Sequence, residues 1–222
     1  NMYKLIKDIE KDLPLGNARL ERKIKINKDQ IDIIKNYFFG IGFYKKYPDK
    51  LVNSIYFDNE NLDFARSNIN GELYRLKPRI RWYNNNINDL NNEFKIKIGF
   101  NSYKVITNKI FDNKVSLKGN IEFAKKYYKK TFDHNLKEII SIKYHRNYLE
   151  HISGVRLTID KNIFAKKMND NKYYSMPYEV VEFKYENSLD NYFRSVLFND
   201  LKNIPLRMTK CSKYVECLLK II

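Results

Sequence analysis

The sequence predicts an α+β fold, an antiparallel sheet whose strands each carry one ionic and one apolar face, with a few helices against it. Three observations carry that expectation. At least four stretches alternate charged and apolar residues at period two, the spacing of a strand with unlike faces. Aromatic residues make up 15 % of the chain, with 18 Tyr and 14 Phe, which suits a strand-rich core. Between the alternating stretches lie segments with apolar residues at helical spacing.

The elements follow in order. "RLERKIKI" (19–26) sets Arg19, Glu21, Lys23 and Lys25 against Leu20, Arg22, Ile24 and Ile26. Asn27 caps a helix through about Phe39, with Ile31, Ile34 and Phe38 on one face and Gly40 as its stop. "VNSIYFDN" (52–59) is a β-branched and aromatic strand, and a short helical turn falls near 60–66, before Gly71. In "RLKPRIRWY" (75–83), Arg75, Lys77, Arg79 and Arg81 fill one face, and Leu76, Ile80 and Trp82 fill the other. Like charges on one strand face repel unless something negative lies opposite, so this face asks for an anion. The plainer alternative is a basic surface strand in a basic protein. Pro78 cannot donate to a ladder and belongs at an irregular or unpaired point. Asn84, Asn85 and Asn86 mark the turn that follows.

"NEFKIKIGF" (92–100) alternates Glu93, Lys95 and Lys97 with Phe94, Ile96 and Ile98. Residues 118–131 are helical, with Ile121, Ala124, Lys125 and Tyr128 at helical spacing. "ISIKYHRNYLE" (140–150) and "GVRLTIDKNI" (154–163) form an antiparallel pair turning near Ser153-Gly154. "YEVVEFKY" (178–185) puts Glu182 and Lys184 opposite Val181, Phe183 and Tyr185. Ser188 opens a helix to about Leu201, before Pro205, with Leu189, Tyr192, Phe193, Val196 and Leu197 as its buried stripe. Ser212 opens a last helix with Val215, Leu218 and Leu219 inward.

Length and charge bound the rest. The 222 residues suit a single domain, 1–222, with a substantial core. Lys plus Arg is 42 and Asp plus Glu is 26, a net charge of +16, which calls for a polyanionic partner: nucleic acid, an acidic membrane surface or phosphate compounds. Cys211 and Cys217 match neither a zinc pair nor a redox motif, and are expected as reduced, buried thiols. His134, His145 and His151 lack metal-ligand spacing, so no zinc is expected. No apolar run approaches the ~18 residues of a membrane span and no signal peptide opens the chain. The expectation is a cytoplasmic protein that does not itself insert into a membrane.

If the sheet curls with its apolar face outward beneath the helices, the ionic faces line a cationic bore. Buried cations do not stand unpaired. Such a bore must hold anions, and its few glutamates either neutralise locally or hold a divalent metal.

Eight pieces in order resemble the polyphosphate polymerase domain of the vacuolar transporter chaperone family, within the triphosphate tunnel metalloenzymes. They are "ERK" (21–23), "SIYFDN" (54–59), "GELYRLKPRIRWY" (71–83), "EFKIK" (93–97), "YHRNYLE" (144–150), "RLTID" (156–160), "VVEFKY" (180–185) and "SKYVEC" (212–217). The resemblance implies an eight-stranded antiparallel β-barrel tunnel with flanking helices. It implies binding of ATP and of triphosphate or polyphosphate with Mn2+ or Mg2+. By the same resemblance Lys77, Arg79, Arg81, Arg156 and Lys23 contact the phosphate chain, Ser212 and Lys213 reach it near the tunnel mouth, and Lys95, Arg146 and Lys213 act in the transfer step. Glu182 is implied as metal ligand, with Glu21 beside it; a salt bridge to Lys184 is the alternative for Glu182. Lys97, Lys104 and Lys143 are expected at the rim or surface. One departure is Arg19, which stands where the superfamily's E-x-E-x-K strand has its first glutamate.

The chemistry of these residue types agrees with that assignment. Arg presents a planar fork that binds two phosphate oxygens at once. A row of cations at ~6–7 Å spacing on one strand face can follow a linear polyanion. Three functions are compatible: a polymerase transferring the γ-phosphoryl of ATP to a growing chain, a tunnel hydrolase of tri- or polyphosphate, and a non-catalytic polyphosphate-binding module. Nucleic acid fits less well, because the aromatics of 75–83 lie on the face opposite the cations. A membrane-protein partner is left open.

Overall fold

The computed structural model describes residues 2–12, 18–107, 111–112, 114–197, 199 and 207–221. Nine antiparallel strands form one sheet: β1 (Leu20–Ile26), β2 (Phe43–Asp58), β3 (Tyr74–Tyr83), β4 (Asn86–Ile98), β5 (Asn101–Thr107), β6 (Lys137–His151), β7 (Arg156–Lys167), β8 (Tyr174–Ser175) and β9 (Glu179–Tyr185). Their order is β1-β9-β7-β6-β2-β3-β4-β5, with the two-residue β8 pairing only β7. Among the described residues six helices flank it: α1 (Met2–Asp12), α2 (Ile31–Gly40), α3 (Asp63–Ile69), α4 (Leu117–Phe132), α5 (Asp190–Tyr192) and α6 (Lys213–Ile221).

The expected eight-stranded closed barrel needs correction. Among the described residues the sheet has nine strands and no ladder joins its end strands, β1 and β5. They meet at one isolated bridge, where Arg19 and Ser102 exchange backbone hydrogen bonds of 3.1 and 2.9 Å. Past that point the free edge of β1 is taken by another segment. Thr209 donates its N–H to the Lys23 carbonyl at 2.8 Å, and Met208 bridges Ile24. The chain leading into α6 thus satisfies backbone groups that a longer β5 would otherwise pair.

The apolar strand faces turn outward, as the alternation predicts. Leu76, Ile80, Phe94 and Ile96 pack under Leu5, Ile6 and Ile9 of α1 and Ile121, Ala124 and Tyr128 of α4. Ile24, Leu157, Val181 and Phe183 pack under Ile31, Ile34 and Phe38 of α2. Ile140, Ile142 and Val180 instead share the inner phase of Arg146 and Glu182, and with Ile163 they pack against Tyr214, Val215, Leu218 and Ile221 of α6, which covers one end of the inner face. Each such side chain contributes about 1.5–3 kcal/mol on burial, which lets the opposite face remain ionic. A buried carboxylate pins two of the helices. Asp58 accepts from the Phe64 and Ala65 N–H groups at the start of α3 and from the Tyr214 hydroxyl of α6.

Several local expectations shift. Leu219 is 63 % exposed, because the buried face of α6 is Tyr214, Val215, Cys217, Leu218 and Ile221, and Leu219 falls on the other side. Val196 is also exposed: a π-turn at Phe193–Leu197 follows α5 and its wider winding turns Phe193 and Leu197 inward instead. The expected continuation of that helix to Leu201, and Pro205, lie outside the described residues. Strands β5 and β8 and the first half of β2 were not anticipated. Register shifts at Lys45/Tyr47 and Tyr47/Lys50 break the period-two pattern there. Pro78 sits one residue beyond the β2–β3 ladder, which ends at Tyr56–Arg79 beside an irregularity in β2. It therefore interrupts no ladder on that side, and Arg79 keeps its inward aim.

Candidate functional site

Cross-strand register brings the ionic faces together as rungs. Arg79 lies opposite Glu93, and Lys77 opposite Lys95, on β3 and β4. Lys23 lies opposite Glu182 and Glu21 opposite Lys184 on β1 and β9. Arg146 lies opposite Asp160 on β6 and β7.

Two buried carboxylates hold the arginines. Arg79 Nε donates to Glu93 Oε2 at 2.8 Å and its Nη1 to the Tyr56 hydroxyl at 3.1 Å. Arg81 Nε donates to Ser54 Oγ at 3.0 Å and its Nη2 to the Tyr144 hydroxyl at 3.2 Å, with Glu93 3.7 Å from Nη1. Arg146 grips Asp160 with both sides of its fork, at 2.6 and 2.8 Å, and Lys213 Nζ is 2.5 Å from the same carboxylate. Burial alone would raise the Glu93 carboxyl, but Arg79 and Arg81 outweigh it and hold it well below the usual carboxylate range. Asp160 is held low in the same way by Arg146 and Lys213 against its burial.

The remaining groups meet between β1, β4 and β9. Lys95 Nζ donates to Glu21 Oε2 at 2.7 Å. Glu182 has Lys184 at 3.2 Å, Lys23 at 3.5 Å, Lys95 at 3.7 Å and Arg146 at 3.9 Å. These lysines outweigh burial and keep Glu182 ionised. Burial in turn lowers Lys184 to about 8. At one end Lys77 Nζ donates to Ser212 Oγ at 2.8 Å, and Lys23 Nζ to the Cys211 carbonyl at 3.0 Å. Burial and the neighbouring Lys23 and Lys95 push Lys77 well below the ordinary lysine value.

These side chains line two adjoining cavities that share Arg79, Arg81, Lys95, Arg146 and Lys184. The wider, about 340 Å³, adds Arg19, Lys104, Arg156 and four tyrosines, Tyr47, Tyr83, Tyr103 and Tyr148. The narrower, about 60 Å³, adds Lys23, Lys77, Glu182, Ser212 and Lys213. Together the walls present twelve Lys and Arg against Glu21, Glu150 and Glu182. Counting Glu93 and Asp160 as well, seven cations remain in excess. Such a surplus is relieved by bound anions, or by neutralisation of lysines that burial lowers, such as Lys77 and Lys184.

Every residue expected at the site lines one of these two cavities. Arg156 stands apart from the others in the wider cavity, with no ion pair among the described residues. Glu93 is one of the glutamates the sequence offers for local neutralisation or for a metal, and here it pairs with Arg79. Sequence reasoning missed Asp160, Lys184, Ser54, Tyr56 and Tyr144 as parts of the site. Glu93 and Asp160 share the phase of Lys95 and Arg156, so the alternation already placed them on the inner face.

The VTC domain family model matches residues 1–222. The chain belongs to this family. The vacuolar transporter chaperone motifs read from the sequence are thereby borne out. No curated protein matches the chain. Among solved structures, the VTC domain is similar to a Hippeastrum protein named for adenylyl cyclase and showing a dominant triphosphatase activity, at 12 % identity and TM-score 0.60 over 93 % of this chain and 97 % of that one. A Vibrio parahaemolyticus protein named for adenylate cyclase gives 12 % identity and TM-score 0.57, over 92 % and 99 %. The PH1819 protein from Pyrococcus horikoshii OT3 gives 15 % and 0.53, over 91 % and 98 %. At these identities the likeness is one of fold.

A divalent metal fits the site in a particular way. Among the described residues no three His, Cys, Asp or Glu side chains cluster as a ligand set. Glu21 and Glu182 nevertheless lie on adjacent strands around the same Lys23 and Lys95. Glu182 Oε1 is buried without a hydrogen-bond partner. Two carboxylates leave most of the coordination sphere open, which is how Mg2+ and similar ions bind when substrate phosphates and water supply the other ligands. No helix of the described residues is long and apolar enough to cross a membrane.

Proposed function

We propose that this VTC domain is a polyphosphate polymerase-like enzyme that transfers the γ-phosphoryl group of ATP to a growing polyphosphate chain. The observation that carries the reading is the convergence of Arg79, Arg81, Lys95, Arg146 and Lys184 on both cavities, with Glu182 among them.

Arg79 and Arg81 follow the phosphate chain with guanidinium forks already oriented by Glu93, Tyr56, Ser54 and Tyr144. Lys95, Arg146 and Lys213 surround the reacting phosphoryl group and offset the charge that spreads over its oxygens. Lys23, Lys77 and Ser212 hold the chain at the narrow end, and Arg156 serves the wider cavity. Glu182 and Glu21 would hold Mn2+ or Mg2+, which would supply further charge neutralisation when bound. An oxygen of the chain's terminal phosphate attacks the γ-phosphorus, the bond to the β-phosphate oxygen breaks, and ADP leaves. The attacking oxygen is already anionic, so no residue has to remove a proton.

That point supports transfer over hydrolysis. Water needs a base or a positioning group, and here Glu93, Asp160 and Glu21 are each engaged with cations. Arg19 also replaces a carboxylate that the superfamily's strand would offer. Hydrolysis of tri- or polyphosphate is the second reading, in keeping with the activity named for the Hippeastrum protein. Incubation with ATP and Mn2+ tests the proposal. ADP together with long phosphate chains supports it; ADP with free phosphate alone supports the hydrolase; tight polyphosphate binding without turnover leaves a binding module.

A further inference from the structure

We propose that Arg75 and Lys97 form an additional anion subsite that takes units of a linear phosphate chain beyond those held at Lys77, Arg79 and Arg81. This rests on the tunnel reading above and adds to it a preference for chain length.

The three β3–β4 rungs lose neutralisation step by step. Arg79 faces Glu93 and is paired with it. Lys77 faces Lys95, whose charge is met by Glu21. Arg75 faces Lys97, and among the described residues neither has a carboxylate partner. Arg75 Nη2 donates only to the Gly99 carbonyl at 3.0 Å, and its buried Nε has no hydrogen-bond partner. Lys97 makes no hydrogen bond or ion pair among the described residues. Both side chains are half-buried rather than in open water. Burial first, opposed by Glu21 and joined by Lys23, Arg75 and Lys95, lowers Lys97 to about 8.

Two half-buried cations set directly opposite one another weaken a sheet. Glu21 offsets part of that cost from beyond ion-pair distance, and a bound anion would offset more. Arg75 shares the strand phase of Lys77, Arg79 and Arg81, so the four form one row of about 20 Å at roughly 3.3 Å per residue. An inorganic triphosphate falls well short of that length, and a longer chain covers it.

The test uses the full 222-residue chain and an Arg75→Gln/Lys97→Gln double variant, titrated calorimetrically without metal at matched ionic strength. The probes are inorganic triphosphate and a linear polyphosphate several times longer. The unmodified protein should bind the longer chain more tightly. The variant should keep triphosphate affinity within about twofold but lose roughly tenfold for the long chain, and its log K against log salt slope should fall by about 1.4 for two lost contacts. Without ligand its melting temperature should equal or exceed that of the unmodified protein, since a repulsion has been removed. Equal losses for both probes, no loss for the long chain, or a lowered melting temperature overturns the subsite. If triphosphate binds the unmodified protein but chain length adds nothing, this inference fails while the tunnel reading stands. If neither probe binds, both fail.

Discussion

Asp160→Asn replaces a carboxylate shared by Arg146 and Lys213 with an amide of the same shape. Asp160 is 0 % exposed, and it meets Arg146 at 2.6 and 2.8 Å and Lys213 at 2.5 Å. Removing one partner of a buried ion pair costs about 3–5 kcal/mol, because the remaining charge is left uncompensated. Here Arg146 keeps the Tyr144 hydroxyl at 3.2 Å and Glu182 at 3.9 Å, which favours the lower end. A loss of about 3 kcal/mol corresponds to a melting-temperature drop of roughly 6–12 °C in a chain of this size. Triphosphate offers the freed cations a new anion, so the ligand-induced rise should be larger in the variant than in the unmodified protein. Urea unfolding and thermal melts, each with and without triphosphate, measure both quantities. A loss under about 1 kcal/mol would mean that Asp160 gains nothing net from its partners. A smaller ligand-induced rise would show that Asp160 orients the phosphate-binding fork rather than competing with phosphate for it. The pH dependence follows from the same pairing. The folded state holds Asp160 below its unfolded value of about 3.9, so its contribution is complete above that pH and drains away as the pH falls. The gap between variant and unmodified protein should therefore close in acid.

Glu182→Gln should weaken Mn2+ binding, read by calorimetry in the presence of triphosphate, while metal-free triphosphate binds as well or better because a negative charge has left the bore; equal loss of both would make Glu182 a structural partner of the lysines. Lys97 and Lys184 are each lowered to about 8 by burial, so triphosphate binding at that pH should take up protons, seen as a buffer-dependent heat that fades as the pH is lowered. Without ligand the unfolded lysines bind more protons between about 8 and 10.4, so these two groups should add stability as the pH rises through that window, and a shallower rise for the Lys97→Met/Lys184→Met variant than for the unmodified protein would bear this out, Lys77 still contributing in both. Leu218→Ala should cost about 2–5 kcal/mol and Leu219→Ala under about 0.5, and the reverse order in urea unfolding would refute the register of α6.

The strands that could be read from the sequence are those in which charged residues recur at every second position against a largely apolar face. In β1, β3, β4 and β9 every second residue falls on the bore, so the pattern gives both the element and its inner face. The start of β2 resisted that reading because its two register shifts disrupt the alternation. β5 is short, and its "NSYKVIT" carries a single charge. The seam was invisible for a different reason. Whether β5 or the segment at Met208–Thr209 occupies the free edge of β1 depends on backbone hydrogen bonds, which side-chain patterns do not encode.

The same limit separates the cations from the carboxylates that hold them. Period two assigns Arg79, Glu93, Arg146 and Asp160 to the inner face, but only register decides which pair across it. Arg146 and Asp160 are 14 residues apart in sequence and directly opposite in space; Arg79 and Glu93 are the same. That pairing changes the chemistry. An arginine alone in a cationic bore would swing toward any carbonyl in reach, whereas one gripped along Nε and Nη by a buried carboxylate has a fixed fork and one remaining edge to present. A tethered fork loses little side-chain entropy when phosphate arrives. The two anions deep in the wall therefore reduce the total attraction for a polyanion, yet raise the fraction of encounters in which the phosphate is correctly placed. A reaction that needs in-line alignment of two phosphate groups gains more from that placement than from two further positive charges.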